Sequence, residues 1–353
     1  MTEQFLHLDW NERKEILESL ALEFERGANV LEKDIWVCWA LDAMFSIPNS
    51  LPIAFKGGTS LSKVFNAISR FSEDIDITVD YRALADSVDD DFDPFSEGVS
   101  NSQVRKFSDR LKEVLKAYAS EKVIPHIQSQ VNELPFAEQM KIEHSDDGEK
   151  IWLHFPSLTA QEDDYVRSSV LVELGGRNII IPNATHDVLP DASERLNEMG
   201  LAFPTAKAVV LSPERTFWEK VTLIHAECGR ESIKANAERL SRHWYDLYRL
   251  TRSKIGPAAM GDRDLLKDVV KHKKCFYRSA FANYDACLTH DFKLIPDEAV
   301  INHLKNDYMN MRGMIYGEVP AFEEIIQTLT VLEKTLNKPG FQMNNNPDSF
   351  SLG

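Results

Sequence analysis

A glycine pair between two short apolar segments constrains the fold of this chain more than any other feature. Residues 51–55 are apolar and run into Lys56-Gly57-Gly58-Thr59-Ser60, which predicts a buried strand entering a glycine turn. Thr59 or Ser60 can cap the short helix that follows, and residues 75–79 then predict a second, adjacent strand. The sequence therefore predicts strand, glycine turn, short helix and strand in close succession.

Asp74 and Asp76 stand at the start of the second predicted strand. Residues i and i+2 of a strand project to the same face, so their carboxylates lie side by side and repel each other unless a cation lies between them. Such a site suits Mg²⁺, which shares its shell with phosphate oxygens. Gly57 and Gly58, before a helix N-terminus, offer backbone N–H groups to those phosphates. The spacing predicts a metal and nucleotide site.

Composition excludes several classes of protein. With 353 residues and 43% hydrophobic content, we expect about two or three packed units rather than a disordered chain. The net charge of −16 argues against a protein that coats nucleic acid or anionic membranes without discrimination. No apolar run approaches the roughly 20 residues that cross a bilayer, and the N-terminus lacks the pattern of a secretory signal. We therefore expect a cytoplasmic protein without membrane association.

The remaining patterns predict an α+β fold. Apolar residues at helical spacing indicate two early helices, residues 145–148 form a hairpin signal, and Ser212-Pro213 is a strong helix start. We predict four segments: N-terminal helices at residues 1–50 that pack on the core, an α/β core at residues 51–211, a helical domain at residues 212–337 and a flexible tail at residues 338–353.

Four motifs occur along the chain: residues 56–63, which hold the glycine pair; residues 70–77, which hold both aspartates; Arg215-Thr216-Phe217-Trp218-Glu219-Lys220; and Arg242-His243-Trp244-Tyr245-Asp246-Leu247. Together with Leu31-Glu32-Lys33-Asp34-Ile35-Trp36-Val37 they resemble the AbiEii/AbiGii toxin family of nucleotidyltransferases, in the DNA polymerase β-like superfamily. The resemblance implies a polymerase β-like nucleotidyltransferase core, a mixed sheet flanked by helices, with a C-terminal helical bundle.

The resemblance also implies roles for single residues. The catalytic residues would be Asp74, Asp76, Lys220 and Asp246. The nucleotide would be bound by Gly57, Gly58, Thr59, Ser60, Arg70 and Lys220. Mg²⁺ would be held by Asp74 and Asp76, with Glu173 as a third carboxylate. Other interpretations stay open. Glu173 is equally compatible with an exposed edge strand, Arg70 with an ion pair to Glu73 or Asp74, and Lys220 and Asp246 with ordinary charged helix positions.

The function implied by the resemblance is that of a toxin in a toxin–antitoxin system used in abortive phage infection. It would be Mg²⁺-dependent and transfer NMP from an NTP to an acceptor hydroxyl, with tRNA the favoured acceptor and an antitoxin encoded nearby as partner. Residues 230–278 contain 13 Lys or Arg and 6 Asp or Glu, which would attract a polyanion. Basic helix faces docked against acidic neighbours would explain the same charge.

Three alternatives use the same residues. A kinase would transfer the γ-phosphoryl group, in one version onto its own Ser60 or Thr59. A related nucleotidyltransferase would modify a protein or a small molecule instead of RNA. A non-catalytic binding module would retain the fold without the chemistry, although the presence of both aspartates, the lysine and the glycine pair together argues against it.

Overall fold

The computed structural model describes residues 3–88, 92–159, 167–230, 239–279 and 281–339. The fold is α+β, with a mixed sheet and helices, as the sequence predicts. The chain divides into two compact units. The first comprises residues 1–64, 72–93 and 105–211, and the second comprises residues 65–71, 94–104 and 212–353. The predicted tail lies almost entirely outside the described residues, which end at residue 339.

Strands and helices alternate irregularly up to residue 211. The strands are β1 (Glu3–Gln4), β2 (Ile53–Lys56), β3 (Asp74–Asp80), β4 (Lys141–His144), β5 (Lys150–His154), β6 (Ser169–Asn178), β7 (Asn183–Val188), β8 (Leu201–Ala202) and β9 (Ala206–Leu211). The helices are α1 (Trp10–Phe24), α2 (Ala28–Phe45), α3 (Gly57–Lys63), α4 (Tyr81–Ala85), α5 (Asn101–Tyr118), α6 (Ile124–Val131) and α7 (Ser193–Glu198).

Seven of these strands form one mixed sheet in the order β4-β5-β6-β3-β2-β9-β7. The pairs β3–β6 and β2–β9 are parallel, and the other four pairs are antiparallel. The hairpin predicted around residues 145–148 is confirmed as β4–β5. Strand β3 alternates between Ile75 and Ile77, which are fully buried, and Asp74 and Asp76, which are partly buried. At Asp74 and Asp76 the sheet therefore has one apolar face and one accessible face, whereas Thr78 and Asp80 farther along β3 are buried.

Helix α2 packs against β3, β6 and β9. Thirteen of its 18 residues are buried, and Trp36 stacks on Phe155 with ring centroids 5.0 Å apart. Because the face that carries Asp74 and Asp76 is partly exposed, the face that α2 covers is the apolar one. Helix α2 therefore packs on the apolar face of the sheet and leaves the carboxylates on the opposite face accessible.

The described residues from 212 onward are mainly helical. The helices are α8 (Pro213–Cys228), α9 (Ser241–Thr251), α10 (Ile255–Gly261), α11 (Arg263–Phe276), α12 (Glu298–Met311) and α13 (Phe322–Leu336). Ser212 caps α8 as predicted, because its side chain accepts a hydrogen bond from Arg215 N at 3.1 Å. Residues 231–238, within the predicted helical domain, lie outside the described residues. Within the described ranges, the helices are too short or too polar to cross a bilayer.

Candidate active site

The glycine turn and Asp76 are in direct contact. Gly57 begins α3 with a φ of 81°, in the left-handed region that favours glycine. A Cβ built on Gly57 would lie 2.0 Å from Oδ2 of Asp76 and 2.8 Å from its Cγ. The antiparallel pairing of β2 and β3 produces this contact by setting Lys56, the preceding residue, opposite Asp76. The turn can therefore accommodate the carboxylate only with glycine at this position.

The predicted metal-binding carboxylates share one face of the sheet. Asp74 and Asp76 are two residues apart on β3, and Glu173 of β6 is in register with Asp76. Strand β6 lies between β5 and β3, so the interpretation of Glu173 as an edge-strand residue is wrong. Its carboxylate pairs with the ammonium of Lys150 at 3.1 Å. The role of Glu173 as a third metal ligand stays a prediction.

Thr59 and Ser60 connect the short helix to its surroundings. Both are fully buried. The hydroxyl of Thr59 donates to the backbone O of Asp74 at 2.5 Å, and that of Ser60 donates to the backbone O of Gly57 at 3.0 Å. The Thr59 bond ties α3 to the start of β3 and so positions Asp74, whereas the Ser60 bond lies within the first turn of α3. Phosphate contacts by Gly58, Thr59 and Ser60 stay predictions.

The two aspartates fit a magnesium ion. Mg²⁺ is typically bound through one or two carboxylates and completes its octahedral shell with water and substrate phosphate oxygens. Asp74 and Asp76 supply hard oxygen donors on one face, and the missing side chain of Gly57 leaves the space that the Asp76 carboxylate occupies. In the part of the chain that the structure describes, no group of three or more His, Cys, Asp or Glu residues is arranged to hold a metal ion. Two carboxylates would fill part of an octahedral shell and leave its other positions to water and substrate oxygens.

Helix α2 supports the turn through buried charges that the sequence pattern did not explain. Lys33 pairs with Glu73, the residue before Asp74, at 2.5 Å. The ammonium of Lys63, at the end of α3, contacts Asp34 and lies 2.9 Å from Asp191. Burial alone would lower the pKa of Lys63, but the carboxylates raise it above its ordinary value. Two adjacent residues of α2 thus hold both ends of the segment that joins the glycine turn to β3.

The preceding residue, Glu32, holds a different segment. Its carboxylate accepts hydrogen bonds from Leu158 N at 2.8 Å and from the hydroxyls of Ser157 at 2.6 Å and Thr159 at 3.1 Å. Burial raises its pKa above the ordinary glutamate value. The signal in the sequence was a run of three charged residues, 32–34, inside an otherwise apolar helix.

A second cluster lies within the other unit. Asp246 of α9 is fully buried and accepts two hydrogen bonds from Arg70, at 2.7 and 2.9 Å. The ammonium of Lys220, on α8, donates to the same carboxylate at 2.8 Å. The sequence interpretations of Arg70 did not include Asp246, and Glu73, one of its predicted partners, pairs with Lys33. The structure thus brings together Arg70, Lys220 and Asp246, three of the predicted site residues.

Burial and pairing shift the pKa values in this cluster. Burial alone would raise the pKa of Asp246, but Arg70 and Lys220 hold it well below its ordinary value. Burial lowers the pKa of Lys220, and Asp246 opposes that shift. Burial and the nearby cations lower the pKa of His243 well below its ordinary value, so its imidazole is neutral at pH 7. The cluster thus contains two cations, Arg70 and Lys220, against the single carboxylate of Asp246, which leaves an excess of positive charge.

One family model matches most of the chain. The family model described as nucleotidyl transferase AbiEii toxin, type IV toxin–antitoxin system, matches residues 39–328. Among solved structures, the chain is similar to MenT4, a nucleotidyltransferase toxin from Mycobacterium tuberculosis H37Rv, with 16% identity, 92% of each chain covered and a TM-score of 0.46. The curated proteins provide no match. The family model covers well over half of the chain, so this protein belongs to the AbiEii family of nucleotidyltransferase toxins of type IV toxin–antitoxin systems.

Proposed function

We propose that this enzyme transfers NMP from an NTP to a hydroxyl of tRNA or another RNA in a Mg²⁺-dependent reaction. The observation that carries the proposal is the contact between the Gly57 turn and Asp76, with Asp74 on the same face. It joins a turn suited to phosphate with two carboxylates suited to the metal that accompanies phosphate. Family membership provides the reaction class and implies an antitoxin partner.

In this proposal Asp74 and Asp76 hold the metal, and Glu173 is a third carboxylate of the same sheet face. Bound Mg²⁺ would supply charge neutralisation at the triphosphate and at the attacking oxygen. Gly57, Gly58, Thr59 and Ser60 form the phosphate-binding turn. The bond from Thr59 to the backbone of Asp74 keeps the turn and the strand in a fixed relation before substrate arrives.

We assign Lys220 and Arg70 to binding of the nucleotide phosphates. We assign to Asp246 a role in catalysis, which it exerts by holding these two cations. Asp246 neutralises one of the two cations and orients both, which leaves positive charge for pyrophosphate as it departs. The corresponding architecture is a polymerase β-like core at residues 51–211, which carries the helices of residues 1–50, and a helical bundle at residues 212–337. We place the enzyme in the cytoplasm, where NTP and RNA are available.

The charge of residues 230–278 bears on the choice of acceptor. The basic composition of residues 230–278 supports RNA, but several of those cations are paired within the protein. Lys267 contacts Asp264 at 2.8 Å, Lys274 contacts Asp285 at 2.5 Å and Arg252 contacts Glu324 at 3.0 Å. Local pairing reduces the attraction that the sequence count indicates.

Labelled nucleotides test the proposed reaction. The enzyme is incubated with each NTP, labelled at the α- or γ-phosphate, and with total RNA, with Mg²⁺ or with EDTA. We expect α-label on RNA only with Mg²⁺ and only with Asp74 and Asp76 intact. A γ-label on any acceptor would indicate a kinase, and α-label on protein or on a small molecule would assign a different acceptor. Autophosphorylation at Ser60 or Thr59 is not favoured, because both side chains are fully buried.

A growth assay addresses the non-catalytic alternative. The chain is expressed with and without Asp76→Ala, and protein levels are matched by immunoblotting. We expect the substitution to abolish growth inhibition, because the variant lacks a metal-binding carboxylate. An Asp76→Ala chain that inhibits growth as strongly as the parent would favour a binding module.

A further inference from the structure

The accessible face of the sheet carries an aromatic side chain in line with Asp74. The register of β3, β6, β5 and β4 aligns Asp74 with Leu171, Leu171 with Trp152 and Trp152 with Glu143. Aligned residues of neighbouring strands project to the same face, and adjacent strands lie about 4.8 Å apart. Trp152 therefore stands two strands, or ~10 Å, from Asp74 on the face that carries the candidate metal ligands.

Trp152 has few specific contacts in the described part of the protein. It is partly exposed, as is Leu171 between it and Asp74. Among the described residues, no other aromatic ring contacts Trp152, and its indole N–H has no hydrogen-bond partner. By contrast, Trp218 and Trp244 are buried and donate to backbone oxygens at 2.9 and 3.0 Å. A large apolar ring of this kind next to a catalytic face offers a surface for a flat ligand.

The strand order places Trp152 on the acceptor side. Gly57 follows β2, on one side of β3, whereas β6 and then β5 lie on the other side. If the triphosphate occupies the glycine turn, as the proposed function requires, the attacking hydroxyl approaches the metal pair from the side of Trp152. Lys150, His154 and Lys141 share this face, although their partners Glu173 and Glu143 compensate part of the charge.

We infer that Trp152, flanked by Leu171, stacks against the unpaired base at the acceptor end of the RNA. Aromatic side chains stack on unpaired bases whatever their identity, because each base has a π face. Stacking at ~10 Å from Asp74 would hold the terminal nucleotide while its hydroxyl lies at the metal pair. This inference rests on the proposed function, since it assumes that the acceptor is RNA.

RNA binding without turnover tests the inference. The binding of a fluorescein-labelled single-stranded RNA to the Asp76→Asn chain is measured by anisotropy, with and without Trp152→Ala or Trp152→Phe. We expect Trp152→Ala to weaken binding roughly 5- to 150-fold, the equivalent of about 1–3 kcal/mol per stacked base, and Trp152→Phe to restore most of it. Trp10→Ala is the matched control, because Trp10 is 41% exposed on α1 rather than on the sheet. Equal affinity of the Trp152→Ala and parent chains would overturn the inference.

A kinetic measurement distinguishes whether Trp152 contacts the RNA acceptor or the nucleotide. In the active chain, Trp152→Ala is expected to raise KM for RNA and leave KM for NTP unchanged. A rise in KM for NTP alone would place the nucleotide base on Trp152 and overturn the assignment. Because binding to the Asp76→Asn chain needs no transfer, the stacking inference is decided even if the labelled-nucleotide assay finds no nucleotidyl transfer to RNA.

Discussion

Gly57 and Asp76 occupy adjoining space, such that any side chain on Gly57 would overlap the carboxylate of Asp76. The contact joins the end of β2 to the middle of the sheet, where β3 pairs with β6. The hydroxyl of Thr59 on the backbone of Asp74 makes a second connection between the same turn and the same strand. Both candidate metal ligands are thus positioned by one turn.

Gly57→Ala should therefore inactivate the enzyme. The methyl group would lie 2.0 Å from Oδ2 of Asp76 and must displace it, and a displacement of about 1 Å at a reacting centre can lower the rate roughly 100-fold. The matched control is Gly98→Ala, because Gly98 has the same φ of 81° but no atom within 4 Å of the new methyl group. Its only cost is backbone strain, about 1–2 kcal/mol. Equal activities of the two variants would show that the contact does not position Asp76 for catalysis.

Lys33→Met should destabilise the first unit. Lys33 and Glu73 are both buried and lie 2.5 Å apart, so the substitution removes the cation that compensates Glu73. Loss of one member of a buried pair costs about 3–5 kcal/mol, whereas Lys33→Met with Glu73→Leu should recover most of that loss. Urea unfolding followed by circular dichroism measures the stability of Lys33→Met, Glu73→Leu and the double variant. If the double variant is as unstable as the sum of the single variants, the pair does not interact as described.

Asp246→Asn should destabilise the second unit in a pH-dependent manner. It leaves Arg70 and Lys220 buried without their carboxylate, at a cost of about 3–5 kcal/mol. Because the folded state holds the pKa of Asp246 well below its ordinary value, this stabilisation is present above the unfolded pKa of about 3.9 and is lost as the pH falls further.

Urea titrations of the Asp246→Asn and parent chains at several pH values measure that dependence. The difference in unfolding midpoint should be largest above about pH 5 and narrow below about pH 4. Asp264→Asn, at a side chain that is 90% exposed, is the control and should change the unfolding free energy by less than about 0.5 kcal/mol. A difference that stays constant down to pH 3 would contradict the described ion pairs.

The pH dependence of the rate tests the role of Lys220. If its ammonium neutralises triphosphate charge, kcat/KM falls as the pH rises through its pKa, which burial lowers below the ordinary 10.5. Arginine remains protonated throughout this range, so Lys220→Arg should shift the alkaline limb to higher pH even if the rate at pH 7 decreases. The measurement is a rate profile from pH 7 to pH 11. An alkaline limb at the same pH in both chains would assign it to another group.

The sequence predicts the glycine turn and strands β2 and β3 because their signals are local. A short apolar run, a glycine pair and a carboxylate at positions i and i+2 each depend on a few neighbouring residues, and the structure places both strands and both aspartates as that pattern indicates. The predicted cap is wrong, because α3 already begins at Gly57 and therefore contains Thr59 and Ser60. Strand β7 was not predicted, because Asn183, Thr185, His186 and Asp187 are polar and the strand gains its pairing from β9 at the sheet edge.

The long-range partners could not be predicted from the sequence. Lys33 with Glu73, and Arg70 with Asp246, are separated by 40 and 176 positions. Amphipathic spacing predicts that charged residues of a helix face water, whereas residues 32–34 of α2 are buried because a loop, a strand end and α3 converge on them. The register that aligns Trp152 with Asp74 likewise depends on sheet order, which no local pattern specifies.

Binding of Mn²⁺, a paramagnetic substitute for Mg²⁺, tests the central claim most directly. Electron paramagnetic resonance measures the affinity in the presence of α,β-methylene nucleoside triphosphates for the parent chain and for Asp74→Asn, Asp76→Asn and the control Asp187→Asn, at an exposed position of β7. We predict roughly 10-fold or greater weakening for the first two variants and no change for the control. Parental affinity in both Asp74→Asn and Asp76→Asn would contradict the account.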